Sequence, residues 1–172
     1  GAHGSDMAAR LKDTAVLEAE PHGIRRLSHA ELAYDYRTSS LKRRADRRFL
    51  VLSATFAFTP DDPAAIKSRM ETNIAHRRGT QPPGASLGSI FKNPPGDYAG
   101  RLIERAGLKG YSMGGAQVSP VHANFFINRG GATASDYYAL IQHVREAVRQ
   151  QTGVELEMEI ELVGDWSSLP PP

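Results

Sequence analysis

The strictest alternation of apolar and polar residues lies near the end of the chain. Apolar side chains stand at every second position from Val154 to Leu162, and four glutamates, Glu159 among them, stand between them. A period of two predicts a β-strand with one buried face and one glutamate face. We expect that glutamate face to be solvated unless another segment covers it.

Three further segments have the composition of strands. The stretch from Thr14 to Glu20 is followed by Pro21-His-Gly23, which predicts a strand that ends in a turn. Residues Phe49–Phe58 are rich in aromatic and β-branched side chains, which favours a buried strand. A short strand is predicted at Asn124–Asn128.

Long helices are predicted where apolar residues recur at helical spacing. The longest runs from Ser135 to Gln151, with Gly153 as its C-terminal cap. Another opens at Asp61-Asp62-Pro63, where acidic residues and a proline favour a first turn. We expect the apolar stripes of both helices to face the core; in the second helix the stripe is Ile66, Met70 and Ile74.

Two shorter helices carry clear end signals. Ser28 and Glu31 have the spacing of a capping box, and a helix from about Tyr98 to Ala106 ends at Gly107. No internal repeat is visible, and helices are mixed with strands of both burial patterns. This combination predicts an α+β fold.

A change of composition at Gly79–Gly88 divides the chain. The segment GTQPPGASLG is rich in glycine and proline, as a linker or a functional loop would be. We therefore predict one domain over 1–78, a second over 79–165 and a tail over 166–172.

Composition excludes several classes of protein. The 172 residues contain no cysteine, which excludes disulfides, thiolate zinc sites and a cysteine nucleophile. No apolar run approaches the roughly twenty residues of a membrane span, and the first residues lack the order of a secretory signal. A net charge of +2 does not indicate a nucleic-acid partner.

Two local basic clusters leave alternatives open. Lys42-Arg43-Arg44 with Arg47-Arg48 is one, and Arg77-Arg78 is the other. Each is typical of a solvated loop or helix end, and each would also suit a ligand that carries phosphate. Neither contains the interleaved aromatic residues that stack nucleic-acid bases.

Local chemistry alone does not assign a reaction. The histidines, at positions 3, 22, 29, 76, 122 and 143, show no metal-ligand spacing, so no metal site is predicted. The sequence contains no nucleophile elbow, no P-loop and no dinucleotide-binding glycine motif. The Gly84–Ser89 loop is by itself weak evidence for a site.

Several segments in order nevertheless form a recognisable series over about residues 31–164. They are Tyr36–Ser39 (YRTS), Leu87–Pro94 (LGSIFKNP), Ala99–Gly110 (AGRLIERAGLKG), Gly114–Ser119 followed by His122–Phe125, and Leu156–Ile160 (LEMEI). The series resembles the UDP-N-acetylenolpyruvoylglucosamine reductase family, bacterial flavoenzymes of peptidoglycan precursor synthesis. The last segment departs from the family's usual LExEV.

The resemblance implies a cytoplasmic oxidoreductase that reduces UDP-N-acetylglucosamine enolpyruvate to UDP-N-acetylmuramate. In such enzymes NADPH reduces FAD, the flavin passes hydride to C3 of the enolpyruvyl group, and C2 is then protonated. By match of motif, Ser89 is the proton donor, while Arg37 and Glu159 bind and polarise the carboxylate. Residues 1–78 then correspond to the end of the FAD-binding domain, and 79–165 to the substrate-binding domain.

Further residues match binding positions of the family. Contacts with the substrate are implied for Tyr36, Lys92, Asn93 and His122. Contacts with FAD are implied for His3, Gly4 and Arg77. Outside the resemblance, Asn93 before Pro94 is also typical of a turn, and His122 of a loop histidine.

Two departures from the complete enzyme follow from the same resemblance. Gly1-Ala-His-Gly4 is similar to the second half of the family's NAGAHG segment, so we expect an upstream part with the FAD pyrophosphate loops; an artificial leader is the alternative. The Arg37–Ser89 interval has room for one strand and one helix, which indicates the short subclass without a tyrosine lid.

Alternative functions remain open at this point. The chain could be an inactive module that only binds a nucleotide sugar, because the FAD pyrophosphate loops are absent. It could also be a basic interaction domain that uses Lys42–Arg48, or another flavoenzyme. The GSIFKNP and AGRLIERAG segments argue against the last alternative.

Overall fold

The computed structural model describes residues 4–166 and divides the chain into two compact units, 1–73 and 74–172. His3 and the part of the predicted tail after Trp166 lie outside the described residues. Both units combine helices with antiparallel strands, which confirms the α+β prediction. Within the described residues no helix is both long enough and apolar enough to cross a membrane.

The first unit is built on a three-stranded antiparallel sheet. Strand β1 (Leu11–Glu18) lies between β2 (Gly23–Ser28) and β3 (Phe49–Phe56). The strand predicted from Thr14 is confirmed, although it begins at Leu11 and ends at Glu18. Its buried side chains pack with β2 and the following helix in a small cluster of Leu11, Val16, Leu27 and Leu32.

The capping box predicted at Ser28 is confirmed. Helix α1 (His29–Leu32) begins there: the Glu31 amide donates to the Ser28 hydroxyl at 3.3 Å, and the Ser28 amide donates to the Glu31 carboxylate at 2.9 Å. The backbone and hydroxyl donors of Ser28, together with Arg25, lower the pKa of Glu31 to about 2. Its carboxylate therefore stays ionised and holds the start of this short helix.

Strand β3 exists, but its predicted burial is wrong. Only Phe49 is partly buried, while Leu50, Val51 and Leu52 are 60%, 48% and 46% exposed. Along the described chain, β1 is the one element with which β3 makes extensive contact, and this contact lies along a single edge. Both faces of an apolar strand are consequently open to solvent.

The same correction applies to the stripe of helix α2 (Pro63–Thr80). Its predicted start is confirmed, because the Ala65 amide donates to the Asp62 carboxylate at 2.9 Å. The stripe is not in a core: Ile66, Met70 and Ile74 are 39%, 58% and 46% exposed. Apolar spacing correctly predicted the helix but not what surrounds it.

Two arginines of the basic cluster after α1, Arg44 and Arg48, are paired with acids. Arg44 donates to both carboxylate oxygens of Glu18, at 2.9 and 2.8 Å, and forms an ion pair with Asp46 at 2.8 Å. Arg48 forms an ion pair with Glu20 at 2.7 Å. These contacts favour a structural role for the two arginines over a phosphate-binding one.

The second unit has a four-stranded antiparallel sheet in the order β4-β7-β6-β5. Its strands are β4 (Ser86–Ser89), β5 (Ser112–Met113), β6 (Ala116–Val118) and β7 (Phe125–Asn128). Helices α3 (Ala99–Arg105) and α4 (Ala134–Thr152) pack with the sheet around one core. Fully buried members include Phe91, Ile103, Val118, Phe126, Leu140, Ile141, Val144 and Leu156.

The helices predicted for this unit and its predicted strand at Asn124–Asn128 are confirmed. Helix α4 has a capping box between Thr133 and Asp136 and ends at Gly153, whose φ of 71° is the left-handed conformation that favours glycine. Helix α3 ends before Gly107 in the same way. The predicted strand at Asn124 is β7.

The predicted last strand is reduced to one bridge. The Glu159 amide donates to the Ile90 carbonyl at 2.8 Å, and the Lys92 amide donates to the Glu157 carbonyl at 2.9 Å, around the pair Phe91–Met158. The predicted alternation is kept, since Leu156 is buried and most glutamates are exposed. A regular strand is absent here because the pairing partner after Lys92 turns away into the Asn93–Pro95 segment, which forms no strand.

Candidate active site

A cavity of about 380 Å³ lies in the second unit, between the end of β4, helix α3 and the loop before β7. Ser89, Asn93 and His122, which the motifs single out, all line it. The remaining lining residues are Tyr98, Gly100, Arg101, Glu104, Lys109, Val121 and Asn124. The fold thus brings together three predicted site residues that lie up to thirty-three positions apart in sequence, from Ser89 to His122.

Ser89 occupies a well-fixed position at the end of β4. It is half-buried and pairs with Phe125 of β7. Gly88, just before it, has a φ of 77°, a conformation that a side chain would strain. The peptide segment that follows is hydrogen-bonded on both sides, so the serine is carried by a rigid backbone.

Glu159 lies beside this segment but is not among the residues that line the cavity. Its amide donates to the carbonyl of Ile90, the residue after Ser89. It is half-buried, whereas Glu155, Glu157 and Glu161 are exposed. Glu159 is thus distinguished from the other glutamates of the alternating stretch by partial cover.

Lys92 and Asn93 have defined local contacts. The Lys92 ammonium forms an ion pair with Glu157, and Lys92 is not among the residues that line the cavity. The Asn93 side-chain oxygen accepts from the Ala99 amide at 3.1 Å, at the start of α3. Asn93 therefore both lines the cavity and fixes the chain that enters α3.

His122 is held as a neutral imidazole. Its Nδ1 accepts from the Asn124 amide at 3.2 Å, and its ring lies edge-on to Phe125 at 4.8 Å between centroids. Burial lowers its pKa below the ordinary 6.5. With Nδ1 used as an acceptor, the remaining proton of the neutral ring is on Nε2, which makes that nitrogen a donor.

Neighbouring residues fix the histidine in place. The Ser119 hydroxyl, which is fully buried, accepts from the amides of Val121 and His122 at 3.1 and 3.3 Å. Gly100 leaves room for the ring, because a Cβ there would lie 3.3 Å from the imidazole Cε1. The motif glycine of α3 thus permits close approach of the His122 loop.

Two cations at the cavity were not assigned from the sequence. Arg101 donates to Asp97 at 2.7 Å, and Lys109 to Glu104 at 2.7 Å. The hydrogen bond from Arg101 lowers the pKa of Asp97, which keeps that carboxylate ionised. The signal was present, because both cations belong to the AGRLIERAGLKG segment, but composition alone does not separate them from surface charges.

Arg37 and Tyr36 belong to the first unit. They lie in a turn closed by the pairing of Asp35 with Thr38, and Arg37 has a φ of 55°. Its guanidinium lies 5.4 Å from the centre of the Tyr36 ring, whose residue is 53% exposed. The convergence of Arg37 with Ser89 and Glu159 remains a prediction.

The two described residues that match flavin contacts, Gly4 and Arg77, lie in different units, and each is exposed. Gly4 is exposed in the first unit, and Arg77, on the last turn of α2, donates to the Gln81 side chain at 3.3 Å. These residues offer single contacts and no enclosed surface, so they do not by themselves fit FAD or NADPH. Among residues 4–166, no three His, Asp or Glu side chains are grouped as a metal ion would require.

Comparisons with known proteins agree on one family. Residues 80–163 match the family model described as UDP-N-acetylenolpyruvoylglucosamine reductase, C-terminal domain. The reductase of Halalkalibacterium halodurans is 44% identical over 96% of the chain and 54% of its own length. That of Moorella thermoacetica is 51% identical over 81% of the chain and 45% of its own length.

A solved structure extends the likeness to the fold. The crystal structure of the Thermus caldophilus reductase aligns with a TM-score of 0.79 and 33% identity. The alignment covers 94% of the chain and 56% of the crystallised one. The chain therefore spans about half the length of the relatives that it matches.

Proposed function

Since the chain belongs, through residues 80–163, to the UDP-N-acetylenolpyruvoylglucosamine reductase family, we propose that it supplies the substrate-binding half of such a reductase. The complete enzyme reduces UDP-N-acetylglucosamine enolpyruvate to UDP-N-acetylmuramate in the bacterial cytoplasm, with NADPH and FAD. The observation that carries the proposal is the cavity shared by Ser89, Asn93 and His122, inside the matched segment.

The reaction assigns a clear task to Ser89. A reduced flavin, when bound, supplies hydride to C3 of the enolpyruvyl group. The negative charge that develops at C2 is delocalised into the carboxylate, and C2 then takes a proton. Ser89, fixed at the end of β4, is the group that we assign to give that proton. Its hydroxyl is a weak acid, so it needs neighbours that favour its deprotonated form and later restore the proton.

Stabilisation of the negative charge requires further residues. We assign Glu159 and Arg37 to the carboxylate side of the substrate, where they polarise the enolate-like intermediate. The assignment of Glu159 is supported by the hydrogen bond from its amide to the carbonyl of Ile90, the residue after Ser89. The Nε2–H of neutral His122 is a donor that can bind substrate oxygen without carrying a net charge.

The cations of the cavity suit the rest of the substrate. A nucleotide sugar carries a diphosphate, and Arg101 and Lys109 provide charge-assisted donors at the same cavity. Each is already paired with one carboxylate, which keeps it oriented and limits its net attraction for anions. Asn93 completes the polar lining.

The partner that the chain requires is the rest of the enzyme. The exposed strand β3 and the half-length match both support an additional segment that covers β3 and carries the FAD pyrophosphate loops. We call the chain joined to this upstream segment the completed enzyme. In the absence of an insertion between Arg37 and Ser89, we assign it to the subclass without a tyrosine lid.

The second candidate function is a nucleotide-sugar-binding module without reductase activity. It is favoured by the exposure of Gly4 and of Arg77, each taken in its own unit, because an exposed residue alone encloses no flavin. The flavin absorbance of the purified chain and calorimetry with the nucleotide sugar separate the two. If the purified chain binds the nucleotide sugar and shows no flavin absorbance, the chain alone is a binding module without reductase activity.

The decisive experiment is Ser89→Ala in the completed enzyme. We expect NADPH to reduce the flavin at the normal rate, while oxidation of the flavin by the enolpyruvyl substrate slows by about 10²–10⁴-fold in stopped-flow measurements. Ser112→Ala, at an exposed serine of β5, is the matched control and should leave both half-reactions unchanged. Normal reoxidation in Ser89→Ala would remove the serine from the mechanism.

A further inference from the structure

One buried amide connects the segments that form the cavity. Asn124, 3% exposed, precedes β7 in a place where a polar side chain must be fully hydrogen-bonded. Its Oδ1 accepts from the Phe91 amide at 2.9 Å, and its Nδ2 donates to the Phe91 carbonyl at 2.8 Å. The side chain thus pairs with both backbone groups of a single residue, Phe91, as a neighbouring strand would.

The backbone of Asn124 adds hydrogen bonds to Ile90 and His122. We call these bonds, together with the side-chain bonds to Phe91, the Asn124 clamp. The Asn124 carbonyl accepts from the Ile90 amide at 2.9 Å, and its own amide donates to Nδ1 of His122 at 3.2 Å. One residue therefore holds the peptide that follows Ser89 and selects the tautomer of the histidine. The opposite side of the same peptide is held by the segment that contains Glu159.

The Asn124 clamp holds Ile90 and Phe91, which follow the end of strand β4. Strand β4 stops at Ser89, and the bridge from Phe91 to Met158 is a single pair. Ordinary sheet pairing is therefore too short to fix residues 90–92, and the Asn124 side chain supplies hydrogen bonds that a longer strand would provide. The position of the Ser89 hydroxyl relative to His122 depends on them.

We propose that Asn124 is a positioning residue that holds Ser89 and His122 in register across the cavity. It does not itself react. The inference rests on the proposed function for its kinetic consequence, but its structural part concerns hydrogen bonds of the chain alone. A displacement of about 1 Å at a reacting group lowers rates by about 100-fold, so the effect should be large.

The structural part is tested by amide hydrogen exchange in the chain itself. Asn124→Ala should accelerate exchange at Ile90 and Phe91 by at least about tenfold relative to the amides in the middle of α4. Those helix amides serve as the internal standard, because a general loss of stability accelerates both sets together. Equal acceleration of the two sets would overturn the proposal.

The kinetic part is tested in the completed enzyme. Asn124→Asp keeps the acceptor for the Phe91 amide and loses the donor to its carbonyl; we expect kcat to fall by about 10- to 100-fold, with a smaller change in KM. Val148→Ala, at a fully buried position of α4 away from the cavity, controls for destabilisation and should keep kcat at its normal value.

The two measurements keep the hypotheses apart. If the unmodified completed enzyme does not reduce the substrate, the proposed function fails, and the exchange experiment still decides the clamp. If that enzyme is active and Asn124→Asp turns over normally, the positioning role is overturned. If kcat falls equally in Val148→Ala, the loss reflects stability and the proposal is likewise overturned.

Discussion

The two units differ in how completely they bury the apolar residues that their sequences provide. The second unit packs a cluster of fifteen buried side chains between its sheet and helices. Among the described residues of the first unit, the corresponding cluster has four, while β3 leaves Leu50, Val51 and Leu52 exposed. A similar supply of apolar residues has therefore produced one closed core and one open sheet.

The difference in burial indicates which unit can fold without contacts from another segment. Burial of apolar surface stabilises a fold by about 25 cal/mol per Å², so a closed core provides most of the stability of a small domain. An apolar strand with both faces open gains little from this effect and presents an unpaired edge. We infer that the second unit folds on its own contacts and that the first depends on the segment proposed to cover β3.

The largest expected effect on stability comes from comparing a buried position of the second core with an exposed position of β3. Phe126, fully buried and edge-on to Phe91 at 6.1 Å, anchors the second core. Phe126→Ala should lower the free energy of unfolding by about 3–5 kcal/mol. Leu50→Ser, on exposed β3, should change it by less than about 0.5 kcal/mol. Urea titrations of the chain measure both, and a comparable loss in Leu50→Ser would mean that β3 is already covered.

The second prediction concerns what covers β3. In the completed enzyme, amide exchange along β3 should be slower by at least about tenfold than in the chain alone. Amides of β7, which pair on both sides within the second unit, are the matched reference and should change little. Unchanged exchange along β3 would show that the additional segment binds elsewhere.

A smaller effect is expected from His122, whose pKa is lowered by burial. Between its folded and unfolded pKa values, the folded state binds fewer protons than the unfolded state. This contribution to stability is therefore present above the unfolded value of about 6.5 and is lost as the pH falls below it. The urea midpoints measured at about pH 7 and pH 5 should therefore differ less from each other in His122→Gln than in the unmodified chain.

A larger loss of stability between pH 7 and pH 5 in His122→Gln than in the unmodified chain would contradict this assignment. Ser112→Ala, at an exposed position of β5 whose side chain does not titrate, is the control, and its pH dependence should match that of the unmodified chain.

Local sequence signals correctly predicted the helices whose ends are marked by capping residues. The capping box at Ser28 and the glycine at 153 fix helix limits by contacts within a few residues, so sequence is sufficient there; the capping box at Thr133 was not predicted. Strand β2 was not predicted because its charged residues, Arg25 and Arg26, hide the pattern. Strands β5 and β6 are too short to show a period.

Burial depends on what surrounds an element, and local sequence does not specify this. The composition of β3 favours a strand covered on both faces, but it does not say that the cover comes from within the chain. For residues 154–162, the alternation correctly predicted which side chains face inward but not that pairing is limited to Met158. Register with a partner is a tertiary property.

The candidate site was predictable only as far as the motifs extend. Ser89, Asn93 and His122 lie within family segments, and the structure brings them to one cavity. Lys109 lies within such a segment too, but its role emerges only from the cavity. Asn124 also lies within a family segment, His122–Phe125, but its role emerges only from its bonds to Phe91.

The most direct test of the central claim is a titration of the chain with UDP-N-acetylglucosamine enolpyruvate, followed by amide and imidazole NMR shifts. We expect the shifts to concentrate at the cavity, on Ser89, Asn93, Lys109 and His122, and the His122 Nε2–H signal to move with them. Shifts that are absent at saturating ligand, or that concentrate in residues 4–73, would contradict this claim.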